Sequence, residues 1–212
     1  EEHLDLLQKL YVELDEPDGM AGISAIKKSP PTLSEQILAY ESIGQLSDAS
    51  VCYDRAIQLE PGELRHRKGV LRCRLALGEL SSALFLANSM VADRPSWRSH
   101  LNAFRVEATW KLGQWDKLQN CLKAEEVTRD WNVGLGRLLL AVKHRAEEDF
   151  TTQLQVVRNN LMGPLSAASM EVGSYHRGYE YILRLHMLSE LEEGAKVLLD
   201  FPRSPPSVGD HL

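Results

Sequence analysis

A glycine, an alanine and a proline, each with a narrow conformational or packing role, recur in this chain at a fixed interval, and that interval limits what it can fold into. Gly44, Ala49, Tyr53, Ala56 and Pro61 stand at offsets 0, 5, 9, 12 and 17 from the glycine. Adding 34 to each number gives Gly78, Ala83, Ala87, Met90 and Pro95, so the glycine, the first alanine and the proline return unchanged. Leu46 returns as Leu80. A fainter third copy places Gly113 and Trp115 35 residues after Gly78 and Leu80, with Leu118 and Leu122 at the next buried offsets.

A period of 34 residues is that of the tetratricopeptide helix–turn–helix unit. Each recurring residue has a physical task in such a unit. Gly44 and Gly78 take the left-handed conformation that closes a first helix without a Cβ clash. Ala49, Ala56 and Ala83 are small enough to let paired helices approach to about 8–10 Å. Tyr53 fills the space between them, and Trp110 and Trp115 are expected to anchor helix against helix in the same way. Pro61 and Pro95 lack an N–H and push the preceding residue out of the α region, which ends the second helix.

The rest of the chain follows the same rhythm with less fidelity. A leading helix and a Pro/Gly-containing connector are expected over 1–31, with a short helix around Gly22 to Lys28. Repeats are expected at about 32–61, 62–95, 96–130, 131–162 and 165–200, the last two turning near Ala146 and Ser189. In the last, Val172, Tyr175, Tyr179, Ile182 and His186 fall on one helical face. Residues 201–212 carry three prolines and read as a loop or tail. No stretch alternates apolar and polar residues, so the expected fold is all-α, a right-handed α-solenoid of tetratricopeptide-like hairpins.

Composition excludes several classes of function. With 43% hydrophobic and 25% charged residues the chain has the balance of a folded domain. A net charge of −6 gives no general attraction for nucleic acid or an anionic membrane, and no apolar run approaches the roughly 20 residues needed to span a bilayer. Cys52, Cys73 and Cys121 are odd in number and far apart, which fits neither a disulfide framework nor a zinc site. The acidic, amphipathic start without an initiator Met predicts a segment of a longer chain.

Catalytic constellations are not apparent. The glycines of "VGLGR" (133–137) lie inside an apolar helical run rather than between a strand and a helix. His176 with Glu180 and His186 with Glu190 are spaced i, i+4, a pattern that reads as surface pairing before it reads as a metal site. Trp97, Trp110, Trp115 and Trp131 read as core anchors before a ligand cage. Arg65, Lys68 and Arg72 share a helical face, with Arg67 and Arg74 beside them, and form the one candidate patch for an acidic partner. Ser34 and Leu38 occupy the inner positions where a carboxylate-gripping repeat carries Lys and Asn, so no such clamp is expected. No catalytic, cofactor-binding or metal-ligating residue is assigned.

Three blocks carry a more specific signal: "YDRAIQLEP" (53–61), "RVEATWKLGQWD" (105–116) and "PLSAASMEVGSYHRGYEYILRLHMLSELE" (164–192). Together with "DEPDGMAGISAIKK" (15–28) they resemble the FAT region of the phosphatidylinositol-3-kinase-related protein kinases, in the branch that serves the DNA-damage checkpoint. The resemblance runs from about residue 10 to about residue 195 and is weakest over 62–104 and in the tail. It implies a nuclear serine/threonine kinase that uses ATP and a divalent metal, Mg or Mn, and works with an obligate partner subunit. This segment would be a noncatalytic scaffold touching its own kinase domain and other helical repeats, with no direct contact to nucleic acid or membrane. The competing expectation is a free-standing tetratricopeptide adaptor that binds a peptide in its groove.

Overall fold

Small changes in backbone torsion at three glycines set the path of the chain. In the computed structural model, which describes residues 2–13, 17–27, 30–123, 129–170 and 175–200, Gly44, Gly78 and Gly113 have φ of 73°, 79° and 66°. Each closes a helix by the same pair of bonds. The N–H of the glycine donates three residues back, and the N–H of the next residue donates five back. The pairs are Gly44 to Glu41 and Gln45 to Tyr40, Gly78 to Leu75 and Glu79 to Arg74, and Gly113 to Trp110 and Gln114 to Thr109, at 2.9–3.2 Å. This is the Schellman closure, which left-handed glycine permits without steric cost.

The helices between these bends are α1 (Glu2–Glu13), α2 (Pro17–Ile26), α3 (Leu33–Ser42), α4 (Leu46–Leu59), α5 (Leu64–Ala76) and α6 (Leu80–Asp93). A 3₁₀ turn over Pro95–Trp97 leads to α7 (Arg98–Lys111), α8 (Trp115–Lys123), α9 (Trp131–His144), α10 (Glu147–Ser169) and α11 (Tyr175–Asp200). Among the described residues there is no strand, and no helix is long and apolar enough to cross a membrane. The prolines act as expected. Glu60 and Arg94, which precede them, sit at φ −127°, ψ 72° and φ −135°, ψ 90°, outside the helical region.

Two compact units divide the chain at Gly136, inside α9. In the first, α3 packs on α4, α5 on α6 and α7 on α8, while α4 also meets α5 and α6 meets α7. Consecutive hairpins therefore share their cores. Ala49, Tyr53 and Ala56 of α4 lie with Val70 and Cys73 of α5, and Ala83, Ala87 and Met90 of α6 lie with Leu71, Leu101 and Ala108. Gly136 brings α9 so near α7 that a Cβ there would stand 2.8 Å from Val106. In the second unit α10 and α11 pack together, burying Phe150, Leu154, Val157 and Leu161 along one stripe of α10 and Leu188 and Ala195 of α11.

The turn expected near Ala146 is present, and it reproduces the glycine closures without a glycine. Arg145 has φ 54°, its N–H donates to Val142 and the N–H of Ala146 to Ala141, both at 3.0 Å. Three expectations are corrected. The helix is unbroken at Ser189, because neither glycine nor proline stands within four residues of it and the buried face continues from Leu188 to Ala195, past Gly194. The boundary drawn between 162 and 165 falls inside α10, where Pro164 forfeits a single backbone bond on an exposed turn. In the 1–31 segment the short helix begins earlier than Gly22, at Pro17, where proline suits a first helical turn. Residues 201–212 and Val172 lie outside the described residues.

Candidate functional site

The residues that carry the repeat gather at a junction between hairpins. The Tyr53 ring is buried and reaches beyond its own hairpin to α5, where it lies on Gly69; a Cβ there would stand 2.2–2.6 Å from the ring carbons. Its hydroxyl donates to Glu41 Oε1 at 3.0 Å and accepts from Arg72 Nη2 at 3.1 Å, while Arg72 also binds Glu41 at 2.5 Å. One phenol thus ties α3, α4 and α5. Burial, followed by the Glu41 charge, raises the Tyr53 pKa far above its ordinary value. His66 is buried beside it, with Nε2 2.9 Å from Glu60 Oε2.

This junction alters the meaning of the basic cluster. Arg72 is bound to Glu41, and Arg65 lies 3.1 Å from Glu60 and 3.6 Å from Glu63. Of the three residues expected to form a patch, only Lys68 has no carboxylate partner among the described residues. Arg67 packs over Trp97, its guanidinium 5.0 Å from the ring centroid, and Arg94 covers the same ring at 4.7 Å. Arg74 is bound to Ser82 and lies 3.8 Å from Asp54. The cluster mainly fastens its own helices.

Trp110 and Trp115 are half-buried on either side of the Gly113 bend, and Lys111 covers the Trp110 ring at 5.6 Å. Tyr179, Ile182 and His186, described members of the apolar face expected on the last helix, are exposed. The side chain of His176 is outside the described set, and no group of three metal-ligating side chains occurs among the described residues.

A second feature was not anticipated. A cleft of about 340 Å³ opens between α6, α7 and α8 and is lined by Asn88, Arg98, Arg105, Thr109, Lys117 and Asn120. Its three cations come from two helices, and no acidic side chain lines it among the described residues. Arg105 is held in place: Nε donates to Asn88 Oδ1 at 2.8 Å and Nη1 to Asn102 Oδ1 at 3.2 Å. Asn102 is fully buried and donates to the Cys121 carbonyl at 3.0 Å. The sequence does carry a trace of this site. Arg98, Asn102, Arg105 and Thr109 are spaced by 4, 3 and 4, a polar stripe along one face of a helix. A smaller cleft of about 260 Å³ is lined by Gln8, Lys27, Glu35, Gln36 and Tyr40, and there Lys27 and Glu35 pair with each other.

Comparison with known proteins agrees with this architecture. Residues 102–201 match the FAT domain. Over 209 residues the chain is 28% identical to the serine/threonine-protein kinase ATR of Oryza sativa subsp. indica, covering 94% of this chain and 8% of that protein. It is 28% identical over 202 residues to ATR of Arabidopsis thaliana, covering 91% and 7%. The serine/threonine-protein kinase mTor of Drosophila melanogaster matches at 26% over 200 residues, covering 91% and 8%. Residues 102–201, a little under half of the chain, are thus similar to a FAT domain, and the likeness to these kinases extends over more than nine-tenths of the chain. The chain is similar to ATR kinases and spans about 8% of the length of the curated relatives it matches.

Proposed function

We propose that this segment is a noncatalytic scaffold of an ATR-like serine/threonine kinase, a right-handed solenoid that wraps and regulates a kinase domain on the same chain. The observation that carries the reading is the FAT match over 102–201, which takes in most of α7 and all of α8, the last pair in the run of hairpins stacked from α3. Stacked hairpins contact mainly their neighbours, so a displacement at one interface passes to the next. Such a body regulates a kinase when two arrangements of it differ in free energy and the active site favours one.

The whole protein, on this reading, transfers phosphate from ATP with Mg or Mn, acts in the nucleus in response to DNA damage and replication stress, and works with an obligate subunit, the ATR-interacting protein. The homology to ATR kinases supports the kinase class; the pathway, compartment and partner rest on the resemblance alone. The test is made in the full-length kinase. Gly78→Val disrupts a hairpin closure far in sequence from any catalytic motif. Phosphotransfer to a peptide substrate is expected to change while ATP affinity stays within about twofold. Unaltered phosphotransfer in a variant whose FAT region is demonstrably distorted by hydrogen exchange would overturn the reading.

A further inference from the structure

The cleft between α6, α7 and α8 is not needed to build the hairpins, and its chemistry points outward. We propose that it binds the phosphorylated side chain of an extended serine- or threonine-containing peptide. This goes beyond the scaffold reading and does not depend on it.

Charge comes first. Arg98, Arg105 and Lys117 converge on about 340 Å³ without a carboxylate among the described lining residues, in a chain whose net charge is −6. Elsewhere in the same unit Arg65, Arg72 and Lys111 each have a carboxylate of their own chain. Among the described residues Arg98, Arg105 and Lys117 have none. Arg98 opens α7, the positive end of that helix dipole, where a cation is not stabilised locally. Three cations suit a phosphate dianion, with its several acceptor oxygens, better than a single carboxylate.

Preorganisation comes next. Arg105 spends Nε and Nη1 on Asn88 and Asn102, which fixes the plane of the guanidinium and leaves Nη2 for an incoming oxyanion. The buried Asn102 is itself held by the Cys121 carbonyl, so the donor is fixed before a ligand arrives.

The remaining lining distinguishes a peptide from other anions. Leu84 and Cys121 are buried and give an apolar wall for methylene or methyl groups. Asn120 at the exposed rim offers a carboxamide with both donor and acceptor, the complement of a peptide unit. A free polyphosphate presents acceptors only and would leave that carbonyl unmatched. Among the described residues no aromatic side chain lines the cleft, so nucleic-acid bases have nothing there to stack on.

The test uses the 212-residue chain and a fluorescein-labelled library of nonapeptides with a fixed central phosphoserine and degenerate flanks. Compared with the same library carrying serine, binding is expected to be at least about tenfold tighter. Arg98→Gln and Lys117→Gln, both at exposed positions, should each weaken it by about fivefold or more without changing the thermal midpoint. Asn120→Ala should weaken peptide binding while leaving competition by inorganic phosphate unaltered. The proposal is overturned if the two libraries bind equally, if the Arg98 and Lys117 variants bind as the parent does, or if inorganic phosphate displaces the peptide at matched concentration.

Discussion

The ring of Tyr53 rests on the bare backbone of Gly69, so that the third turn of α4 and the second turn of α5 meet where α4 supplies the only side chain. Placing a methyl group there drives it into ring carbons 2.2–2.6 Å away. Gly69→Ala should therefore destabilise the fold by about 1–3 kcal/mol, despite alanine's better helix propensity. Urea denaturation checks the loss, and combining the change with Tyr53→Leu should recover part of it. Additive losses in the double variant would show that the two positions do not touch.

The hydroxyl of Tyr53 is separable from its ring. Tyr53→Phe keeps the packing and removes the bonds to Glu41 and Arg72, at an expected cost of about 1–2 kcal/mol. Tyr53→Ala also removes the ring and should cost about 3–5 kcal/mol. Thermal unfolding of the two variants beside the parent measures both parts, and a Tyr53→Ala protein that melts with the parent would place the side chain outside the core.

Glu35 provides a pH signature. It closes a capping box with Thr32 at the start of α3 and pairs with Lys27, and these bonds, that from Lys27 first, lower its pKa from 4.5 to about 2. The folded form holds its proton less tightly than the unfolded form. The stabilisation is thus present in full above pH 4.5 or so and disappears as the pH falls through about 2. Stability of the parent should drop between pH 5 and pH 2.5 more steeply than that of Glu35→Gln, as read from urea midpoints; parallel slopes would exclude the contribution.

Arg145 adopts the left-handed conformation that glycine holds at the other three closures. Arg145→Gly should then be stabilising or neutral, by up to about 1 kcal/mol, because strain relieved in the fold offsets freedom gained in the unfolded chain. Gly78→Ala should act in the opposite direction by about 1 kcal/mol. Calorimetric midpoints of the two variants give the signs directly.

Much of the first unit was legible because its constraints are local. Gly44, Gly78, Pro61 and Pro95 act through their own torsions, so a fixed spacing located bends and helix ends correctly. Ala49 and Ala83 followed from the same spacing. What escaped depends on contacts across helices. The reach of Tyr53 to Gly69, the capture of Arg72 by Glu41 and the polar stripe beneath the cleft all join residues whose proximity is fixed only once hairpins pack. At Ser189 a turn was expected because the repeat length demanded one, yet no residue there could supply it. The capping box of Thr32 and Glu35 is written in the sequence as a four-residue pattern, but such a pattern is short enough to arise by chance and marks a helix start only once the helix is there.

The four matching closures have an evolutionary consequence. Each bend is set by main-chain hydrogen bonds and a single torsion, so most side chains are free to drift so long as volume is kept where helices meet. The identities of 26–28% to relatives record nearly three residues in four replaced over more than nine-tenths of the chain, a drift that closures made by the main chain tolerate. Even the glycine is dispensable, since at the fourth bend arginine keeps the shape.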